Sequence, residues 1–271
     1  MRWAGSKRRL ARILSPHLRA LGSNTYFEPF AGSASLFLAL APSKAVLGDI
    51  NCELINAYRI LRSDPVALWL AVRSIPKTSR EYYALRAQTP DALRAFDRAA
   101  RFIYLNRWSF NGVYRTDRAG RFNVPRGSRT GAIPEPEVFA AVSALLGKAE
   151  LQSADFAHTV KAAGHGDLVY LDPPYHSPTR MARGEYGYDA FRVEDMSRLI
   201  KLARSLDGRG VKVLISYRSA APLRQFLGGW YFRRVPVRRQ VSGKTTARVS
   251  TSEILVSNWH LPPLRSNRAY A

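Results

Sequence analysis

The stretch LVYLDPPYHS (168–177) ends an apolar run in an acid, two prolines and a tyrosine. The run reads as a buried strand, so the polar set stands at its carboxyl end. Pro173 and Pro174 lack amide hydrogens and restrict the backbone, which holds the Pro173 carbonyl in a fixed direction. Tyr175 offers a flat ring on which a base can stack. An exocyclic amino group donates two hydrogens: one suits the Asp172 carboxylate, the other the Pro173 carbonyl. Such contacts draw the nitrogen lone pair out of conjugation and aim it at an electrophile. Catalysis then comes from orientation and electrostatics, with no covalent enzyme intermediate.

A second segment, FEPFAGSAS (27–35), joins a strand to a helix. Gly32 permits a tight turn, and Ala31, Ser33, Ala34 and Ser35 leave space beside it. Asp49 ends the next strand about twenty residues on, where an acid can hold ribose hydroxyls. Neither GxGxxG nor GxxxxGK[ST] occurs. Glu28, before Pro29, is placed to bind an amino group or to cap backbone donors. An acidic rim suits a cationic, amino-acid-bearing nucleoside better than a pyrophosphate, which points to S-adenosylmethionine.

The surrounding elements must bring these segments together. TYFEPF, KAVLGDIN, AELQSADF, GDLVYLDPPY and VKVLISY read as strands alternating with helices. YFRRVPVRRQV and TSEILVSNW read as two closing strands. LARILSPHLRAL has helical spacing with a break expected at Pro16, and a second interruption is expected near Asp64-Pro65. The alternation points to an α/β class with a mostly parallel sheet covered on both faces. Ligands then sit beyond the strand carboxyl ends, which puts Glu28 to Ser33, Asp49, Asp155 and Asp172 along one rim. Residues 108–128 differ in texture, with aromatics, asparagines and arginines around DRAG, as in a β-hairpin or long ordered loop. The expected division is a catalytic domain over 1–72 and 132–271, with a helical and hairpin insertion over 73–131 and its hairpin at 106–126.

Composition narrows the partners. Lys and Arg number 42 against 20 Asp and Glu, a net charge of +22 spread along the chain, as suits a long polyanion. Neither a signal peptide nor a membrane-length apolar window is read, so the expected compartment is the cytoplasm, without membrane contact. The single cysteine, Cys52, precedes an apolar helical segment and reads as packing, not as a C5-methylating nucleophile. The five histidines make no metal spacing, and no metal is expected.

With these residues in view, the chain resembles the Dam-type, class alpha (D12) N6-adenine DNA methyltransferases. DPPY is similar to their catalytic motif, FEPFAGS to the cofactor motif, GDIN to the acid that follows it, and WAGSK (3–7) to the amino-terminal motif. YLNRWSFNGVYRTDRAGRFNVP (104–125) is similar to their DNA-reading hairpin. The resemblance covers nearly the whole chain and implies a Rossmann-like methyltransferase fold, its mostly parallel sheet carrying an antiparallel C-terminal strand, with S-adenosylmethionine as cofactor and double-stranded DNA as partner, and a monomer expected. It implies Asp172, Pro173, Pro174 and Tyr175 as the catalytic set. For the cofactor it implies Trp3, Lys7, Glu28, Phe30, Gly32, Ser33 and Asp49, with Asp155 and Phe156 at the adenine. For DNA it implies Phe110 and Asn111 beside the target, Arg115 at a base edge and Pro125 in the groove. Arg107, Arg118, Arg126, Lys244 and Arg248 would serve as further DNA contacts. The target it suggests is GATC. One departure is Ala34, where members carry a second glycine. DPPY also serves RNA and cytosine-N4 methyltransferases, and an inactive basic DNA-binding module is the remaining alternative.

Overall fold

The structure, a computed structural model, describes residues 3, 5–117, 119–128, 130–174, 191, 193–238 and 250–264. In chain order its first half contains α1 (Arg8–Leu21), β1 (Tyr26–Glu28), α2 (Ser35–Leu40), β2 (Ala45–Asp49), α3 (Cys52–Ser63) and α4 (Pro65–Ser74). Then come α5 (Ser79–Ala87), α6 (Ala95–Trp108), α7 (Pro136–Leu146), β3 (Ala149–Ser153), α8 (Phe156–Thr159) and β4 (Leu168–Leu171). The chain closes with α9 (Val193–Gly208), β5 (Lys212–Tyr217), α10 (Ala221–Arg224), β6 (Tyr231–Arg238) and β7 (Ser250–Ser257). The chain divides into two compact units. One comprises Met1–Ser6, Asp49–Ala154 and His176–Ala190; the other comprises Lys7–Gly48, Asp155–Tyr175 and Phe191–Ala271.

In the second unit the strands run in the order β2-β1-β4-β5-β7-β6. The pairs β1–β2, β1–β4 and β4–β5 are parallel, while β7 runs antiparallel to both β5 and β6. This is the mostly parallel, helix-flanked sheet expected of the alternating pattern. LVYL in β4 is buried throughout, as befits a strand covered on both faces. Phe27, Val169, Leu171, Val213, Ile215 and Val256 form one core with Leu199, Ala203 and Leu206 of α9. Strand alternation sends Tyr26, Glu28, Tyr170, Ser216, Glu253 and Leu255 to the opposite face. That parity decides what the site can contain.

α1 passes through Pro16 without the expected break. Proline removes one backbone bond, but Leu10, Ala11, Leu14 and Leu18 are buried along one stripe and hold the helix. Pro16 itself is exposed, where its ring meets no packed neighbour across the stripe. The interruption at Asp64 is as expected: its side chain accepts from Ala67 N and caps α4, with Pro65 at the first helical position.

The first unit is mainly helical, α3 packing with α6 and α7, and α4 with α6 and α7. Residues 109–127 form an antiparallel ribbon, but with isolated bridges at Ser109–Arg126 and Thr116–Phe122 in place of a continuous ladder. Two features interrupt it: Pro125 has no donor, and Asn111 and Gly112 adopt left-handed conformations. α6 runs through Trp108, so 106–108 are helical. Cys52 is exposed at the start of α3, contrary to the packing role expected from its apolar neighbours. The helix buries Leu54, Ile55 and Tyr58 on the face that Cys52 does not share.

Candidate active site

The carboxyl ends of β1, β2 and β4 carry Glu28, Asp49 and Asp172, as the rim rule requires. Asp172 is the most constrained. Its Oδ1 accepts from the Lys7 ammonium at 3.0 Å and from the Ser216 hydroxyl at 2.7 Å. Ser216 also meets the Tyr170 hydroxyl at 2.9 Å. Lys7 stands at the N-cap of α1 and lies 3.9 Å from a second carboxylate, Glu253 of β7. The side chains of Lys7, Asp172 and Glu253 are 9%, 18% and 3% exposed, so water does little of the solvation. Burial raises the Asp172 carboxyl above its ordinary value, and Lys7 and Ser216 oppose that shift. Pro173 is buried and Pro174 half-buried behind it. Tyr175 lies outside the described residues.

Glu28 lies beneath the cofactor-like loop and is almost fully buried. Its Oε2 accepts from the Tyr26 hydroxyl at 2.7 Å and from Phe37 N, in the first turn of α2, at 3.1 Å. Of the two roles expected of it, capping backbone donors is the one its contacts describe. Burial pushes its carboxyl up to about 8, against the pull of those two bonds. The Tyr26 phenol is also raised, by burial first and by Glu28 next.

Above it, Gly32 has φ 45 and Ala34 φ 49, both left-handed. Ala34 is only 1% exposed, so its methyl is packed inward and does not stand in open space. The cost is conformational: an L-residue in this region is disfavoured by about 1–2 kcal/mol. Ser33 and Ser35 share a hydrogen bond of 2.7 Å across the turn. Close packing fixes a glycine nearby, because a side chain at Gly48 would collide with Thr159 of α8.

Phe30 stacks on Phe156 with ring centroids 5.3 Å apart, and Phe191 meets Phe30 edge-on at 6.0 Å. Phe156 is 5% exposed and also carries the Arg198 guanidinium 4.8 Å from its ring, so Phe30 is the more open ring. Asp155 caps α8 through Ala157 N at 2.9 Å and pairs with Arg198 at 2.8 Å, both through Oδ1. These groups fit an adenosyl moiety: a turn of small residues, an accessible ring and a carboxylate oxygen with no described partner.

Two other expected cofactor residues belong to the first unit. Asp49 ends β2 and accepts from Asn51 N at 2.9 Å. Trp3 stacks on Tyr114 at 6.1 Å and lies 6.3 Å from Phe102.

In the ribbon, Phe110 is 51% exposed and Asn111 beside it has φ 54. Phe110 N donates to Pro125 O at 2.9 Å, which ties the base of the ribbon beside the end of α6. Arg115 donates from Nε to Asn123 Oδ1 at 2.7 Å. The Asp117 carboxylate gathers Ala119 N, Arg121 N and Arg121 Nε, closing the DRAG turn. Pro125 is exposed. Arg107 and Arg126 bond to the protein itself: Arg107 reaches Ala132 O, and Arg126 reaches Ser79 Oγ and Lys77 O. Arg118, Lys244 and Arg248 lie outside the described residues.

Sequence reasoning missed Ser216, Glu253, Arg198 and Asn123. A signal existed for two of them: Ser216 and Glu253 are polar residues at inward parity within apolar strands, VKVLISY and TSEILVS. No pattern marked Arg198 or Asn123. Among the described residues, no cluster of His, Cys, Asp and Glu could hold a metal, and no helix is long and apolar enough to cross a membrane.

Residues 3–242 match the family model of D12 class N6 adenine-specific DNA methyltransferase. The chain is 35% identical to Type II methyltransferase M1.LlaDCHI of Lactococcus lactis subsp. cremoris, over 95% of this chain and 94% of that protein. It is 31% identical to the DNA adenine methylase of Escherichia coli K12, over 94% and 93% of the two chains. It is 34% identical to the DNA N-6-adenine-methyltransferase of Escherichia phage P1, where it spans 94% of this chain and 34% of the other. With a DPPY acid held in a buried ion network at the rim of a parallel sheet, the chain belongs to the D12-class N6-adenine-specific DNA methyltransferases, a family that depends on S-adenosylmethionine.

Proposed function

We propose that this enzyme methylates N6 of an adenine flipped out of duplex DNA, within the sequence GATC. The observation that carries the chemistry is Asp172. Both of its described partners, Lys7 and Ser216, meet Oδ1, which leaves Oδ2 for an N–H of the target amine. The Pro173 carbonyl would take the other N–H, and Tyr175 would stack on the base. S-adenosylmethionine supplies the methyl: the N6 lone pair forms the N–C bond as the C–S bond breaks, and that pair stays on sulfur. Positive charge arrives on N6, where the Asp172 carboxylate stabilises it, and the N6 proton then leaves to solvent.

For the cofactor, Phe30 supplies a ring for the adenine and Phe156 supports it from below, while Asp155 takes the adenine amino group. Gly32 and Ser33 let its chain approach the backbone, and Asp49 holds the ribose hydroxyls. Glu28 acts from beneath the loop, keeping the turn and the start of α2 in register. Chemistry on an adenine inside a duplex requires the base to leave the stack. Phe110, exposed at the tied base of the ribbon, supports a wedge that fills the vacated space, with Asn111 beside it. Arg115, oriented by Asn123, supports recognition of guanine. Arg118, Lys244 and Arg248 are assigned to phosphates, which position a duplex without reading it.

The test is transfer of a labelled methyl from S-adenosylmethionine to paired duplexes, one with GATC and one with GTTC. Label on the first alone is expected. Label on both, or on RNA in preference to either, would overturn the assignment.

A further inference from the structure

We propose that Glu253 is a positioning residue for methyl transfer, holding the Lys7 ammonium on one oxygen of Asp172. The proposal rests on the amine-methylation reading above and assigns a role to a residue outside the motifs. Glu253 arrives by sheet register. Ser216 of β5 stands opposite Leu255 of β7, so Glu253 projects from the same face two residues nearer the rim. There its Oε1 lies 3.9 Å from Lys7 Nζ, while the same nitrogen is 3.0 Å from Asp172 Oδ1.

Two consequences follow. The first is geometric. A lysine ammonium is a compact charge on a flexible stem, and a single carboxylate does not fix its direction. A second carboxylate draws Nζ toward β7, so that it serves Oδ1 and leaves Oδ2 to the amine. The second is electrostatic. The Glu253 carboxylate acts on Asp172 in the sense opposite to Lys7, which keeps Asp172 a strong acceptor for charge arriving on nitrogen. Among the described residues, the other groups near Asp172 add little charge at neutral pH. Tyr26 and Tyr170 are phenols, Ser216 is a hydroxyl, and buried Glu28 holds its proton up to about pH 8.

The experiment is a cycle of Glu253→Gln, Lys7→Gln and the double variant, beginning with wild-type transfer to an adenine-bearing duplex. Glu253→Gln should lower kcat about tenfold while KM for DNA stays within about twofold. Removing a neighbouring negative charge should also move the acid limb of its kcat profile to lower pH. In the enzyme alone, without cofactor or DNA, carbon-13 NMR of the Asp172 carboxyl should titrate lower by the same change. On the Lys7→Gln background, the second substitution should add almost nothing. An unchanged kcat and titration, or an equal loss with and without Lys7, would overturn the proposal. If Glu253→Gln does not fold, Glu253→Asp enters the same cycle: a loss that vanishes without Lys7 supports the proposal, and one that persists refutes it. Absence of wild-type transfer would instead refute the parent reading.

Discussion

The rim of the second unit and the ribbon of the first hold their charged groups by opposite means. At the rim, Lys7, Asp172, Ser216 and Glu253 come from four distant parts of the chain and are largely shielded from water. In the ribbon, Arg115 pairs with Asn123 and Asp117 with Arg121, partners within eight residues, and Phe110 is exposed. The rim is therefore electrostatics set in advance by the fold, where removing one group disturbs buried charges that share partners. The ribbon is local scaffolding that presents side chains to a partner. Damage at the rim should appear in turnover, and damage in the ribbon in the choice of DNA.

The sharpest break would come from Asp172→Ala. It should lower kcat by about 10²–10³-fold or more, with DNA affinity nearly intact in a direct binding assay. An equal loss in DNA affinity would erase the distinction. Next, Arg115→Ala should reduce discrimination against a substituted guanine by about 1–3 kcal/mol in competition between duplexes. Asn123→Ala should give a part of that loss, because it only orients the guanidinium. Unchanged discrimination in both would remove the ribbon from sequence reading.

Glu28 extends the comparison to stability. Its folded carboxyl, at about 8, lies above the ordinary value of 4.5, so the folded state holds the proton more tightly. Its stabilising contribution is complete below about pH 4.5 and is lost as pH rises toward 8, at most about 1.4 kcal/mol per pH unit. Chemical denaturation across pH 5–8 should show this decline in the wild type and less of it in Glu28→Gln, which keeps an acceptor for Tyr26 and Phe37. An identical slope in both would show that Glu28 is ionised in the fold. The smallest effect is expected at Ala34. Ala34→Gly relieves a left-handed residue but adds freedom to the unfolded chain, for a net gain of about 0.5–1 kcal/mol. A comparable loss of stability would show that the buried methyl matters more than the strain.

The sheet and the motif acids were legible in the sequence because apolar runs of strand length end in acids, and a parallel sheet collects those ends on one rim. Asp49, Asp155 and Asp172 were read that way. The support was not, because Ser216 and Glu253 gain meaning only once register puts them on the face of Lys7. Pro16 misled, since a local rule was outweighed by a buried stripe along α1. Cys52 misled in the other sense, as an apolar neighbourhood in sequence turned out to be the opposite face of α3. In the ribbon the aromatics and DRAG were visible, whereas the bonds of Arg107 and Arg126 depended on carbonyls that no spacing reveals.

The most direct test of the central claim is the identity of the methylated nucleoside. Wild type and Asp172→Ala would each be incubated with S-adenosylmethionine and a GATC duplex, and the DNA digested and resolved by mass spectrometry. The account predicts N6-methyladenine from the wild type and almost none from the variant, with both binding the duplex. N4-methylcytosine from the wild type, or N6-methyladenine from the variant at the wild-type rate, would contradict it.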